Sequence, residues 1–132
     1  MIALDTNLLV RLLIQDDPAQ ARAVERLFVR ARRERTPLFV ADVVLCELVW
    51  VLARRAKQSR AEIADALQQL LDTESIVVAV PAIVRAALAA YRDGTGDFAD
   101  YIIREQALAA GAVEVVTFDK ALREEPAFKM LG

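Results

Sequence analysis

Acidic residues stand at several points where this chain is about to change direction. Asp5 follows the apolar run Ile2-Ala3-Leu4, and Asp119 follows the mostly apolar strand 113–118. Asp97 and Asp100 open a helical stretch just after Gly94-Thr95-Gly96, and Glu47 is the one charge within residues 43–53. A carboxylate at the end of a buried strand lies on the carboxyl edge of a sheet, where open α/β sheets bind their ligands. Each acid also has a plain structural use: Asp5, Asp97 or Asp100 as a helix cap, and Glu47 in a salt bridge to an arginine, since an unpaired charge in an apolar wall is costly. Asp97 and Asp100, three residues apart, share a helix face near its positive end, and capping accounts for only one of them. Carboxylates gathered within a few ångströms repel one another unless a divalent cation neutralises them. A cluster of this kind can hold one or two Mg²⁺ or Mn²⁺ ions, activate water and stabilise the transition state of phosphodiester hydrolysis.

Composition narrows the chemistry further. The 132 residues contain no histidine, which removes imidazole acid–base pairs, Ser-His-Asp triads and imidazole metal sites. What remains is carboxylate, hydroxyl and cation chemistry, and oxygen-only sites favour Mg²⁺ or Mn²⁺. The lone Cys46 lies within an apolar stretch and reads as a buried, inert thiol in a reducing cytoplasm. With 17 basic and 19 acidic residues the net charge is −2, so no bulk attraction to polyanions exists. The apolar content of 56% and mean hydropathy of +0.31 are high for one small domain, yet no apolar run reaches the roughly 18 residues of a membrane span. The N-terminus lacks the pattern of a signal peptide. The surplus apolar surface therefore implies an oligomer interface or a partner groove.

The elements that must position the acids follow from periodicity and punctuation. Residues 8–14 read as helical, and Asp17-Pro18 opens a second helix reaching about Arg35, with Gln20 in place to complete a capping box. Its tail, residues 30–35, is strongly basic and reads as a solvated helix end matched to the macrodipole, ahead of a phosphate-contact patch. Residues 37–41 form a short buried strand, with Asp42 available to cap the nearly all-apolar helix 43–53. A second basic cluster, Arg54, Arg55, Lys57 and Arg60, precedes a capping box at Ser59 and Glu62 and a helix whose face is Ile63, Ala66, Leu67 and Leu70. Residues 76–80 read as a strand buried on both faces, Pro81 opens the next helix and Gly94 ends it. Asp97 starts a helix carrying Ile103, Ala107 and Ala110, and Gly111 stops it. Residues 113–118 make the last clear strand, and 127–131, after Pro126, add an edge strand. No linker or repeat interrupts this order, which predicts one domain.

The order β-α-α-β-α-α-β-α-α-β implies a mostly parallel sheet with right-handed crossovers. In such a sheet the carboxyl ends of the first and last clear strands can be neighbours, which brings Asp5 and Asp119 together, with Asp97 or Asp100 and Glu47 entering from adjacent helices.

At this point the pattern resembles the PIN-domain nucleases, and among them the VapC-type toxins of toxin–antitoxin pairs. The likeness rests on Asp5-Thr6-Asn7 after the first strand, Glu47 in Leu45-Cys46-Glu47-Leu48, the run Asp97-Phe98-Ala99-Asp100-Tyr101-Ile102-Ile103, and Val116-Thr117-Phe118-Asp119. It covers nearly the whole chain. The resemblance implies a three-layer α/β PIN-like fold, with a central mostly parallel sheet of four to five strands flanked by helices. It further implies a cytoplasmic Mg²⁺- or Mn²⁺-dependent endoribonuclease, a homodimer, and an antitoxin that occludes the site. By matching positions Asp5, Glu47, Asp100 and Asp119 form the acidic quartet, Asp97 is a fifth metal-ligand candidate, and Thr6, Asn7 and Thr117 orient carboxylates or water.

Readings of other classes remain. A phosphatase of the haloacid-dehalogenase type also places an aspartate after its first strand but needs a second two residues later, where this chain has Asn7. A receiver-type signalling domain needs a lysine near its acidic pocket, and Lys120 directly follows an acid. A non-catalytic RNA-binding or interaction module would retain the same acids without turnover.

Overall fold

The computed structural model describes residues Met1–Gly132. The chain forms two compact units, Met1–Ala79 and Val80–Gly132.

In the first unit the strands β1 (Ile2–Ala3), β2 (Leu38–Phe39) and β3 (Ile76–Val77) pair in parallel in the order β1-β2-β3. Ile2 lies opposite Leu38 and Leu38 opposite Ile76. Between strands run the helices α1 (Thr6–Ile14), α2 (Pro18–Glu34), α3 (Asp42–Arg54) and α4 (Arg60–Leu71). Asp17 caps α2 by accepting from the Gln20 N–H at 3.1 Å, and Pro18 occupies the first helical position. The expected box is not closed, because the Gln20 side chain instead accepts from Arg11 Nε at 2.6 Å. The Ser59–Glu62 box is complete, with bonds of 2.9 and 3.1 Å. Asp42 is already helical, and Ala41 takes the cap position of α3.

The core of this unit is aliphatic. Leu45, Leu48 and Leu52 of α3 have no exposed surface, and each contributes roughly 1.5–3 kcal/mol by leaving water. Ile63, Ala64, Leu67 and Leu70 of α4 are buried in the chain, so that stripe is committed to the fold. The outward face of α3 carries Val43, Glu47 and Trp50, with Val43 63% and Trp50 58% exposed. Cys46 is half-buried and its thiol is pushed up to about 11, by burial first and then by the charges of Asp42 and Glu47. It stays protonated and unreactive at neutral pH.

The second unit contains α5 (Pro81–Asp93), α6 (Phe98–Ala109), β4 (Val115–Thr117), a 3₁₀ turn (Lys120–Leu122) and β5 (Phe128–Met130). Helices α5 and α6 pack through Val84, Ala87, Leu88 and Tyr91 on one side and Phe98, Tyr101 and Ile102 on the other, all buried. Tyr91 meets Phe98 edge to face, with ring centres 6.0 Å apart. Ile103 is 52% exposed and Ala107 half-buried, Ala110 lies just past the helix, and the buried stripe starts at Phe98. Gly111, just past α6, has φ +102°, a conformation that favours glycine.

The α/β order and the parallel pairing are as the sequence predicts, with a three-stranded sheet in the first unit and a two-stranded one in the second. Each ladder is only two or three residues long, so β1 has β2 as its neighbour and β4 has β5. No helix is long and apolar enough to cross a membrane.

Glu125 is the polar tie of the second unit. Its Oε1 accepts from the Thr95 N–H at 2.9 Å, the Tyr101 hydroxyl at 2.8 Å and the Thr95 hydroxyl at 3.2 Å. The bond from the Thr95 backbone, supported by the two hydroxyls, holds its carboxyl below the usual glutamate range. A depressed folded value means stabilisation present above the unfolded value and lost as pH falls through the folded one. Thermal unfolding followed against pH should show a loss below about pH 4 that Glu125→Gln reduces. Tyr101→Phe should cost about 1–3 kcal/mol at neutral pH.

Candidate active site

In the first unit the Leu4 N–H donates to the Phe39 carbonyl at 2.9 Å, and the next residue, Asp5, leaves the ladder. It becomes the N-cap of α1, with Oδ1 accepting from the Thr6 N–H at 2.7 Å. The Thr6 side chain, itself buried, donates its hydroxyl to Glu47 Oε1 at 3.1 Å. One threonine therefore connects the end of β1 to the second turn of α3. Asp5 and Glu47 are both exposed, so Glu47 is not enclosed in an apolar wall. The all-apolar look of residues 43–53 concealed an outward stripe on which Glu47 lies between Val43 and Trp50. Asn7 is exposed and borders a hollow of about 250 Å³ shared with Leu8, Arg11, Gln20, Ala23 and Val24.

In the second unit the Asp97 N–H donates to Asp100 Oδ2 at 2.9 Å, while the Asp100 N–H donates to the Asp97 carbonyl at 3.0 Å. The pair is a reciprocal cap of α6, so capping engages both residues where one was expected. Asp119 repeats the Asp5 arrangement: its Oδ1 accepts from the Ala121 N–H at 2.9 Å and starts the 3₁₀ turn. Thr117 Oγ1 accepts from the Asp119 N–H at 3.0 Å, fixing the backbone from which that carboxylate projects. Burial raises the Asp100 carboxyl, and the like charges of Asp97 and Asp119 add to it against the lowering by the Asp97 N–H.

The four principal acids share one feature. Asp5, Asp100 and Asp119 each give one oxygen to a donor within three residues, Glu47 gives one to the hydroxyl of Thr6, and each keeps the other without an internal donor. None is paired with an arginine or lysine, so the salt-bridge use of Glu47 does not apply. As donors they are hard oxygens only, the class that Mg²⁺ and Mn²⁺ select. Neither unit by itself gathers three acidic, cysteine or histidine side chains into a group that could enclose a cation.

A sequence model of the PIN domain matches residues 2–126. The chain belongs to the PIN-domain family. This PIN domain is also similar to a VapC ribonuclease of Aquifex aeolicus (strain VF5), 29% identical over 132 residues, a span covering all of this chain and 93% of that relative.

What sequence reasoning missed in this PIN domain is the extent of its basic surface. The arginine spacing begins at Arg22, well before residues 30–35, and continues every three or four positions along α2. That periodicity is readable without a structure.

Ionised Asp100 pays for burial and for its acidic neighbours, so its folded value lies above the unfolded one and its ionisation destabilises the fold. Asp100→Asn should therefore raise Tm at pH 7, and the gain should vanish as pH falls below the ordinary aspartate range near about 4. Calorimetry in chelator, across pH, checks both halves of that statement.

Proposed function

We propose that this PIN domain is a Mg²⁺- or Mn²⁺-dependent endoribonuclease that hydrolyses RNA phosphodiesters and serves as the toxin of a cytoplasmic toxin–antitoxin pair. The observation that carries the reading is the set Asp5, Asp100 and Asp119 at strand ends and helix starts with Glu47 on α3, each anchored by one oxygen and neutralised by no internal cation. Similarity to a VapC ribonuclease supports RNA as the substrate.

In this reading Asp5 and Glu47 of the first unit and Asp97, Asp100 and Asp119 of the second are the residues that would hold a divalent ion. Bound there, a divalent ion supplies water activation and neutralises charge building on the phosphate. The chain's own contribution is orientation. Thr6 fixes Asp5 and Glu47 relative to each other, Thr117 fixes the backbone of Asp119, and the Asp97 N–H fixes Asp100. Asn7, beside Asp5 and exposed, is free to orient water or a phosphate oxygen. With no histidine to deprotonate a ribose 2′-hydroxyl, attack falls to water, and the products carry 5′-phosphate and 3′-hydroxyl ends.

The partners follow from surface. Val43 and Trp50 are exposed apolar residues on either side of Glu47 on the outer face of α3, suited to a second copy in a homodimer or to an antitoxin helix laid over them. Of the two helices with apolar faces in that region, α4 has spent its own on the core.

The test is cleavage of structured RNAs with either metal, followed by end-group analysis. Asp5→Asn should keep the fold, since the amide can still accept from the Thr6 N–H, and should abolish cleavage because an amide holds a hard cation poorly. Cyclic 2′,3′-phosphate ends, or undiminished cleavage in EDTA, would sink the mechanism. A folded wild type that binds RNA but cuts none with either metal is instead a binding module.

A further inference from the structure

Helix α2 carries more positive charge than its fold uses. Between residues 22 and 35 the chain has six arginines against two glutamates, although its net charge is −2. Arg22, Arg26, Arg30 and Arg33 fall within about 80° of one helical face, at 3.6 residues per turn. That face lies opposite the buried positions Ala21, Val24 and Ala31. All four arginines are exposed, and none has a carboxylate within ion-pair distance. Glu25, the nearest acid along the stripe, accepts from Gln15 Nε2 at 3.3 Å. The four arginines and Val29, which is 47% exposed, line an open hollow of about 600 Å³ with Glu25 and Glu34 at its flanks.

A solvated helix end accounts for Arg32, Arg33 and Arg35, which stand where the macrodipole favours cations. It does not account for Arg22 and Arg26, which lie well before the last turn, to which that effect is confined. Nor do i,i+4 ion pairs, since the positions four residues after Arg22 and Arg26 are again arginines. The stripe is thus arranged for something outside the chain. Steps of three or four residues give a rise of about 4.5–6 Å between guanidinium groups, and the stripe spans about 16 Å. A row of cations at that spacing is complementary to the backbone charges of a nucleic acid strand. The start of α2 also adjoins the candidate site, because Gln20 and Ala23 share a hollow with Asn7, two residues beyond Asp5.

We propose that α2 is a phosphate track: RNA leaving the Asp5 end of the first unit runs along this helix, its backbone held by Arg22, Arg26, Arg30 and Arg33. The inference rests on the ribonuclease reading and adds a location for the flanking strand. Val29 gives the arginine stems an apolar surface on which to lie. Contacts of this kind carry affinity and register and no base preference.

The experiment measures binding of a fluorescent single-stranded RNA to the Asp5→Asn protein, in which the RNA stays uncut, over a range of salt. Replacing the four arginines by glutamine should weaken binding on the order of tenfold or more at low salt. It should also flatten the plot of log K against log salt by about 2.8, at ~0.7 per lost phosphate contact. Replacement of all four by lysine should restore the slope. Should the quadruple glutamine variant fold poorly, Arg26→Gln and Arg30→Gln singly should each lower the slope by about 0.7. A triple change at Arg54, Arg55 and Lys57 to glutamine is the reference for a mere change in net charge, and an equal fall per charge there overturns the track. A wild type that cleaves RNA beside a quadruple variant with unaltered slope also overturns it and leaves the nuclease reading standing. A variant with unaltered RNA slope that loses binding to polyglutamate assigns the stripe to an acidic protein instead. If the wild type neither binds nor cleaves RNA, the nuclease reading falls and the track with it.

Discussion

The candidate-site carboxylates of this protein are held in place by hydrogen bonds rather than by cations. The bond from the Thr6 N–H to Asp5, at 2.7 Å, is the simplest example. A backbone donor at a helix start fixes the carboxylate without discharging it, whereas an arginine would do both. The same device holds Asp100 through the Asp97 N–H and Asp119 through the Ala121 N–H, while Glu47 uses the hydroxyl of Thr6. Local donors can do this only where strands end and helices begin. The placement of the elements therefore decides where uncompensated charge can accumulate, and the cost is visible in the raised Asp100.

The fold makes many such places at little expense in sheet. Its strands are two or three residues long, too short to be stable alone, and the helices between them supply the buried surface. In the first unit β1 and β2 each lead within two residues to a helix cap: β1 to Asp5, and β2 to Ala41 at the start of α3. Burial of Thr6, the first residue of α1, makes its hydroxyl a fixed link, since a buried hydroxyl seeks a partner and Glu47 is the one it finds. Core packing and site geometry meet in that residue.

The order of elements was legible because its signals are local. Asp17-Pro18, Ser59 with Glu62, Pro81 and Gly94 each mark a boundary through backbone chemistry that acts within four residues. Strand lengths were not legible. Residues 76–80 are continuously apolar, yet only Ile76 and Val77 pair, and Val80 turns out to cap α5 in an extended conformation. Apolar character marks burial, and ladder bonds depend on a neighbour the sequence does not name. The direction of Glu47 failed for a related reason: a helix apolar on nearly every side has no periodicity from which to read its outward face. For Asp97 and Asp100, capping and charge clustering predict the same residues at the same spacing, so the pattern alone could not separate them.

The arginines of α2 complete the electrostatic argument. A chain with a net charge of −2 looks indifferent to nucleic acid, but that figure averages a basic helix with a surplus of acids elsewhere. Within the first unit, Asp5 and Glu47 stand at the end of β1 and on α3, while unpaired guanidinium groups line the outer face of α2. Had the basic residues been set beside the acids, the two would have neutralised each other and neither a hard cation nor a phosphate would find a partner. Separation on different elements keeps both available. On the proposed reading of a hydrolase acting on a polyanion, that arrangement would divide the labour: the acids would serve a cation at the scissile phosphate, and the arginines would hold the phosphates that are not cut.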